Sequence, residues 1–196
     1  MNKWNEIFKK GAKYKPLNKV FLDKILNKIK ETNPNNQQKT MVDIGCGTGD
    51  TLLKFLQKKF NVTGIDISEI AIKEAEELLK KEGVENFNLF VMNVSEISSI
   101  EEKFDIIFNK LVYAFIEDKK KFIEDIKKLM KETSFFIFMT PVLYKGVTYT
   151  PEDKPGIAVN FEETEVLLKN NFTSVEIIHH DYFSTNGDTL TFLIKK

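Results

Sequence analysis

Apolar residues first recur at helical spacing at Leu17, Val20, Phe21, Ile25 and Ile29, which predicts an amphipathic helix over 17–30. Residues 1–16 before it are polar, with Trp4, Phe8 and Tyr14 as scattered aromatics. The stretch 31–40, interrupted by Pro34, reads as a loop. From residue 40 the pattern alternates. Short apolar runs predict strands at 40–44, 61–65, 87–92, 104–109, 134–140, 173–180 and 188–196. Between them Leu52, Leu53, Phe55 and Leu56 mark one helix, and 68–81, 119–132 and 162–170 mark three more. The 68–81 helix has the sharpest ends. Ser68 suits its N-cap, Glu69 its first turn, Ala71, Ala75, Leu78 and Leu79 its buried stripe, and Gly83 its stop.

Alternation of this kind predicts an α/β fold: a doubly wound, mostly parallel seven-stranded sheet with helices on both faces. About eight residues join the last two strands, too few for a crossover, so the last strand runs antiparallel. The expected division is an N-terminal helical cap at 1–39 and a sheet domain at 40–196. Open sheets of this type bind ligands at the carboxyl ends of their strands, where the strand order reverses. The candidate site therefore follows Ile44, Ile65, Met92 and Asn109.

Composition narrows the chemistry. One cysteine, Cys46, excludes an internal disulfide and suits a reducing, cytoplasmic setting. With His179 and His180 as its only histidines, the chain is poorly supplied for a zinc site. No apolar run is long enough to span a membrane, and the first 16 residues lack the apolar core of a secretory signal. All 29 basic residues are lysine, balanced by 29 acidic ones. Zero net charge without an arginine fork argues against a nucleic-acid partner.

The segment Val42-Asp43-Ile44-Gly45-Cys46-Gly47-Thr48-Gly49-Asp50 ends a strand and opens a helix. Three glycines in five positions allow a tight turn and close backbone approach to a ligand, or simply a glycine-rich turn. A dinucleotide fingerprint needs G-x-G-x-x-G, and Asp50 occupies the place of its last glycine. The phosphate-loop pattern is absent. Asp66 ends the second strand, 17 positions beyond Gly49, where a carboxylate can accept both hydroxyls of a ribose or cap the following helix.

Taken together, VDIGCGTGD and Gly64-Ile65-Asp66-Ile67-Ser68 resemble the first two motifs of the class I S-adenosylmethionine-dependent methyltransferases, over roughly residues 40–140. The resemblance implies the Rossmann-like methyltransferase fold and S-adenosyl-L-methionine as cofactor, with S-adenosyl-L-homocysteine as product. It also implies a cofactor site on Asp43, Gly45, Cys46, Gly47 and Gly49, with Asp66 and Ile67 at the ribose. Asn93 and Val94 follow the third strand, where the family contacts adenine. Asn93 replaces the commoner aspartate, and its amide oxygen and the Val94 N–H are the expected contacts. The N–H groups after Gly45 are expected to face the cofactor carboxylate, and Asp43 its amino end. The Asn109 main chain is expected beside the methionine portion. Asn109-Lys110-Leu111-Val112 lacks the prolines of enzymes that methylate base amino groups. Lys110 is expected to point to solvent or to hold an anionic substrate, and Cys46 to act as a small filler. Tyr14 is expected to close over the cofactor or to pack.

Candidate acceptor residues are Tyr113 after the fourth strand, Tyr144 and Tyr149 in the 141–160 connection, and His180 at the end of the sixth strand. The reading that follows is methyl transfer to a small molecule, by a monomer or weak homodimer. The alternatives are protein or RNA methylation, with the lysines of 9–30 as a docking face, and a cofactor-binding module without turnover.

Overall fold

The computed structural model describes residues 2–12, 14–32, 39–150, 156–179 and 189–196. Its sheet has the order β3-β2-β1-β4-β5-β8-β7: β1 (Thr40–Ile44), β2 (Asn61–Asp66), β3 (Phe87–Val91), β4 (Phe104–Lys110), β5 (Met130–Leu143), β7 (Ser174–His179) and β8 (Thr189–Lys195). A two-residue strand, β6 (Val159–Asn160), pairs with the end of β5 and makes eight strands where seven were expected. β8 lies antiparallel between β5 and β7, and the other pairings are parallel, as the short connection requires. The order reverses at β1, with β2 on one side and β4 on the other.

Period-two alternation sends successive side chains to opposite layers. Met41, Val62, Ile106, Phe108, Ile137 and Leu193 join one apolar cluster, with α2 (Lys19–Thr32), α3 (Asp50–Gln57) and α4 (Glu69–Lys81). Val42, Ile44, Ile107, Phe136, Phe138 and Phe192 join the other, with α5 (Lys119–Leu129) and α6 (Phe161–Lys169). In that second layer the rings of Phe138 and its cross-strand partner Phe192 stack at 4.7 Å.

Three local differences from the expected elements have clear causes. The polar N-terminal stretch contains a helix, α1 (Lys3–Lys9), whose N-cap Asn2 accepts from the Trp4 N–H at 3.0 Å. Asn18 Oδ1 accepts from the Val20 N–H at 2.8 Å, so α2 starts at Lys19 rather than 17. Val20 then turns outward, 78% exposed, and Leu22 takes the buried place beside Ile25. Finally, α5 passes into β5 at Met130 without a loop. The Lys131 N–H donates to Ser134 Oγ, which donates in turn to the Phe104 carbonyl.

Leu17, Leu22 and Ile25 share the apolar cluster of Met41 and Ile106, so α2 is packed on the sheet. On β2, a Cβ at Gly64 would stand 2.6 Å from Leu52 Cδ1, 2.8 Å from Leu89 Cδ2 and 3.0 Å from Cys46 Sγ. Gly64→Ala is expected to cost about 1–3 kcal/mol by overpacking the α3–β2 contact, read as a lower urea midpoint. An unchanged midpoint would show that this contact has slack.

Candidate functional site

The chain leaves β1 in a turn that reaches back to β2. Gly45 N–H and Cys46 N–H both donate to the Ile65 carbonyl, at 2.8 and 3.0 Å. The next N–H, of Gly47, donates to Asp66 Oδ2 at 2.9 Å, and the other oxygen of that carboxylate accepts from the Ser68 N–H at 2.8 Å. Asp66 thus ties the ends of both strands to the start of α4. Gly45 has φ +78°, and a Cβ there would fall 2.2 Å from Val112 Cγ2, so both backbone and space require glycine. Gly49 has φ +86° at the N-cap of α3, and its bare Cα lets Ala75 of α4 approach. Of the N–H groups after Gly45 that were expected to face a cofactor carboxylate, those of Cys46 and Gly47 donate to protein acceptors here.

A cavity of ≈ 570 Å³ opens above this turn. Its floor includes Asp43, Gly45, Cys46, Gly47, Thr48 and Asp50, and its sides Asp66, Ile67, Met92, Asn93, Val94, Lys110 and Val112. Asp43 is 2% exposed, and its Oδ1 has no hydrogen-bond partner among the described residues. Burial pushes the Asp43 carboxyl up to about 7; Lys110 pulls it down and Asp66 pushes it further up. Burial also raises Asp66, against the lowering effect of the N–H bonds it accepts. The N–H groups of Ser68, Gly47 and Ile67 all lower it, on a carboxylate that offers about four acceptor positions. Burial lowers Lys110, while the negative field of Asp43 raises it. Its Nζ donates to the Lys15 carbonyl at 2.7 Å rather than pointing to solvent. Cys46 is buried and its thiol pushed well above the usual range by burial, in keeping with a filler.

The N-terminal segment forms the remaining wall. Trp4, Phe8 and Tyr14 line the cavity, and Trp4 meets Phe115 edge-on at 4.9 Å. The helix carrying Trp4 is pinned to the end of β2 and the start of α4. Asn2 Nδ2 donates to the Ile67 carbonyl at 2.9 Å, Ser68 Oγ to Asn5 Oδ1 at 2.7 Å, and Asn5 Nδ2 to Glu69 Oε1 at 3.2 Å. The pairing of Asn2 and Asn5 with Ile67–Glu69 is invisible in sequence, because 60 or more residues separate the partners. Asp118, Lys121, Phe122 and Asp125 of the α5 region also line the cavity and were missed. Asp125 is held by Lys121 and by Lys128 at 2.8 Å.

Other expected residues sit elsewhere. Asn93 lines the cavity, but its Oδ1 accepts from Ser95 N–H and Oγ, both at 3.0 Å. With Glu96 it forms a capping box on the turn Val94–Ser99, so the oxygen expected for adenine is engaged locally. Asn109 is fully buried off the cavity wall. Its Nδ2 donates to the Ile44 carbonyl at 2.9 Å and its Oδ1 accepts from the Tyr113 N–H at 3.2 Å, locking β1 to the turn after β4. Tyr113 lies behind that wall, packed on Phe138 at 4.6 Å. Burial pushes its hydroxyl up to about 12. Tyr144 and Tyr149 also lie off the cavity, the Tyr144 N–H donating to the Tyr149 hydroxyl at 2.8 Å. His180 lies outside the described residues. Among the described residues, no group of three His, Cys, Asp or Glu side chains is arranged to hold a metal ion, and no helix is long and apolar enough to cross a membrane.

Comparison with known proteins adds four findings. A family model described as a methyltransferase domain matches residues 35–182. The chain is 31% identical over 107 residues to EEF1A lysine methyltransferase 2 of Mus musculus, covering 50% of this chain and 44% of that protein. It is 28% identical over 144 residues to malonyl-[acyl-carrier protein] O-methyltransferase 2 of Ilyobacter polytropus, covering 70% of this chain and 53% of that protein. The matches thus span about half the length of these curated relatives. A solved S-adenosylmethionine-dependent methyltransferase from Clostridium acetobutylicum shares the fold, with TM-score 0.71 and 21% identity over 98% of this chain and 95% of that one.

The buried Asp43 has a stability consequence. Its folded pKa of about 7 lies above the ordinary 3.8, so its ionisation opposes folding. The cost is absent below about pH 4, grows between about 4 and 7, and is constant above. The cost is on the order of a few kcal/mol. Asp43→Asn is therefore expected to be more stable than wild type at pH 8, with the difference vanishing near pH 4, by denaturant unfolding. Equal pH dependence of both proteins would contradict the assignment of the unpartnered oxygen.

Proposed function

The chain belongs to the class I S-adenosylmethionine-dependent methyltransferase family, and on that premise we propose that it methylates a small-molecule acceptor in the cavity above β1 and β2. The observation that carries the site assignment is Asp43, a residue of the cavity lining whose buried Oδ1 has no partner among the described residues. A cationic amino group is the partner this environment favours, and the cofactor carries one. Asp66 takes the ribose hydroxyls with the lone pairs left by Gly47 and Ser68. Ile67 and Val94 flank the adenine, and Asn93 acts through the turn that it caps. Gly45, Cys46 and Gly47 form the bed of the methionine portion, Gly49 sets α3 beneath it, and Asn109 holds the turn from behind. α1 and Tyr14 act as a cap over the ligand, while α2 belongs to the core of the sheet domain.

When bound, S-adenosylmethionine supplies an electrophilic sulfonium methyl group, which an acceptor atom takes in line. The protein's share is alignment and exclusion of water. Lys110 keeps its ammonium on the Lys15 carbonyl and so ties the cap across the mouth. Partly aromatic, this roof favours an acceptor that fits within the cavity. The lysines of α2 support the same preference. Lys28 is paired with Glu176 on β7, away from the cavity lining. A protein acceptor is the second reading, favoured by the relative named as a lysine methyltransferase. Cytoplasmic residence agrees with the lone, buried Cys46.

S-adenosylhomocysteine at about a hundredfold excess over Kd is expected to add roughly 2.7 kcal/mol, or about 5–10 °C in Tm for a chain of this size. Asp66→Ala should remove most of that shift, and Asp43→Asn should reduce it at pH 8. Transfer of labelled methyl to a metabolite pool rather than to protein supports the small-molecule reading; label appearing in protein supports the second. No shift with wild type at millimolar ligand would overturn the site.

A further inference from the structure

The sheet ends at β3. β2 is its neighbour on one side, and among the described residues no strand lies on the other. Its outward N–H and C=O groups at Leu89 and Val91, with the Phe87 carbonyl, are a template for another strand, the Phe87 N–H donating to the Glu85 carbonyl at 3.0 Å. Protected edges carry lysine, proline or a bulge. Here residues 86–95, NFNLFVMNVS, hold neither charge nor proline in a chain that is 30% charged. Pairing with β2 runs unbroken from Val62–Phe87 to Asp66–Val91, so no bulge turns the edge away. Phe87 and Leu89 pack partly against the α4 layer, while Phe90 and Val91 remain 48% and 57% exposed. Two adjacent large apolar residues on opposite faces of an open edge are a poor solution for an isolated chain.

We propose that β3 pairs antiparallel with β3 of a second copy of this chain, about a two-fold axis at Leu89. In that register Phe87 faces Val91, Asn88 faces Phe90, and Leu89 faces itself. Phe87, Leu89 and Val91 share one face, so the two copies join their apolar rows into a single stripe on the α4 side. An aromatic opposite a β-branched residue is a favourable cross-strand pair. The register is self-complementary: every position meets an apolar or amide side chain, and no charge is brought against its like. A net charge of zero leaves no long-range repulsion between copies. These features select a second copy as the occupant.

Sedimentation equilibrium from about 1 to 200 µM tests this, a range suited to the weak affinity of a small interface. The weight-average mass of wild type is expected to rise from 22.7 kDa toward twice that value. Combined Phe90→Lys and Val91→Lys substitutions should raise the dimer Kd at least tenfold while leaving the S-adenosylhomocysteine shift in Tm unchanged. Val166→Lys, at a similarly exposed apolar residue on α6, should leave the Kd alone. A wild type that stays monomeric throughout overturns the proposal. So does a dimer that survives the double substitution.

Discussion

The Asp66 carboxylate is the knot of this structure. One oxygen holds the Gly47 N–H and the other the Ser68 N–H, so a single side chain fixes the turn after β1 and the start of α4. The cavity exists because those two segments are held apart at a set distance. Gly45 makes the same turn passable for Val112, and Asn109 joins the turn to the strand behind it. With both strand ends pinned in this way, Asp66 is held in the cavity lining.

The site is costly to the free protein. Asp43 is buried beside Asp66 with an oxygen that nothing in the described structure satisfies, and burial drives its pKa up. Lys110 offsets part of the negative field, yet its own hydrogen bond goes to the Lys15 carbonyl. A ligand ammonium would supply the missing counter-charge. Strain of this kind is expected where binding, rather than folding, has set the residue. α1 completes the arrangement by docking on Ser68 and Glu69, the residues next to the Asp66 knot, so α1 and the Asp66 turn share one anchor.

Much of this is legible in the chain because it is local. The strand cores, the glycine turn, the place of Asp66 at the end of β2, the Ser68 cap and the Gly83 stop are all encoded within a few residues, and each is found in the fold, though β5 runs longer than expected at both ends. The reversed β8 follows from a connection too short to cross over. What the sequence conceals is long-range. Neither hydrophobic period nor propensity reveals that Asn2 and Asn5 reach Ile67 and Ser68, or that Lys110 reaches Lys15. Asn93 and Asn109 are polar at strand ends and read naturally as ligand contacts. The Asn93 amide oxygen accepts within the Val94 turn, and the Asn109 side chain, of which only the main chain was expected at the ligand, donates to the Ile44 carbonyl. Val20 misled for a simpler reason: the Asn18 cap rotates the face of α2 and buries Leu22 instead.

The most direct measurement is a crystal structure of the protein with S-adenosylhomocysteine. The account predicts that Asp66 keeps its bonds to Gly47 and Ser68 while accepting both ribose hydroxyls, and that the ligand ammonium lies within hydrogen-bond reach of Asp43 Oδ1. A ligand seated elsewhere, or one whose ribose turns away from Asp66, would contradict it.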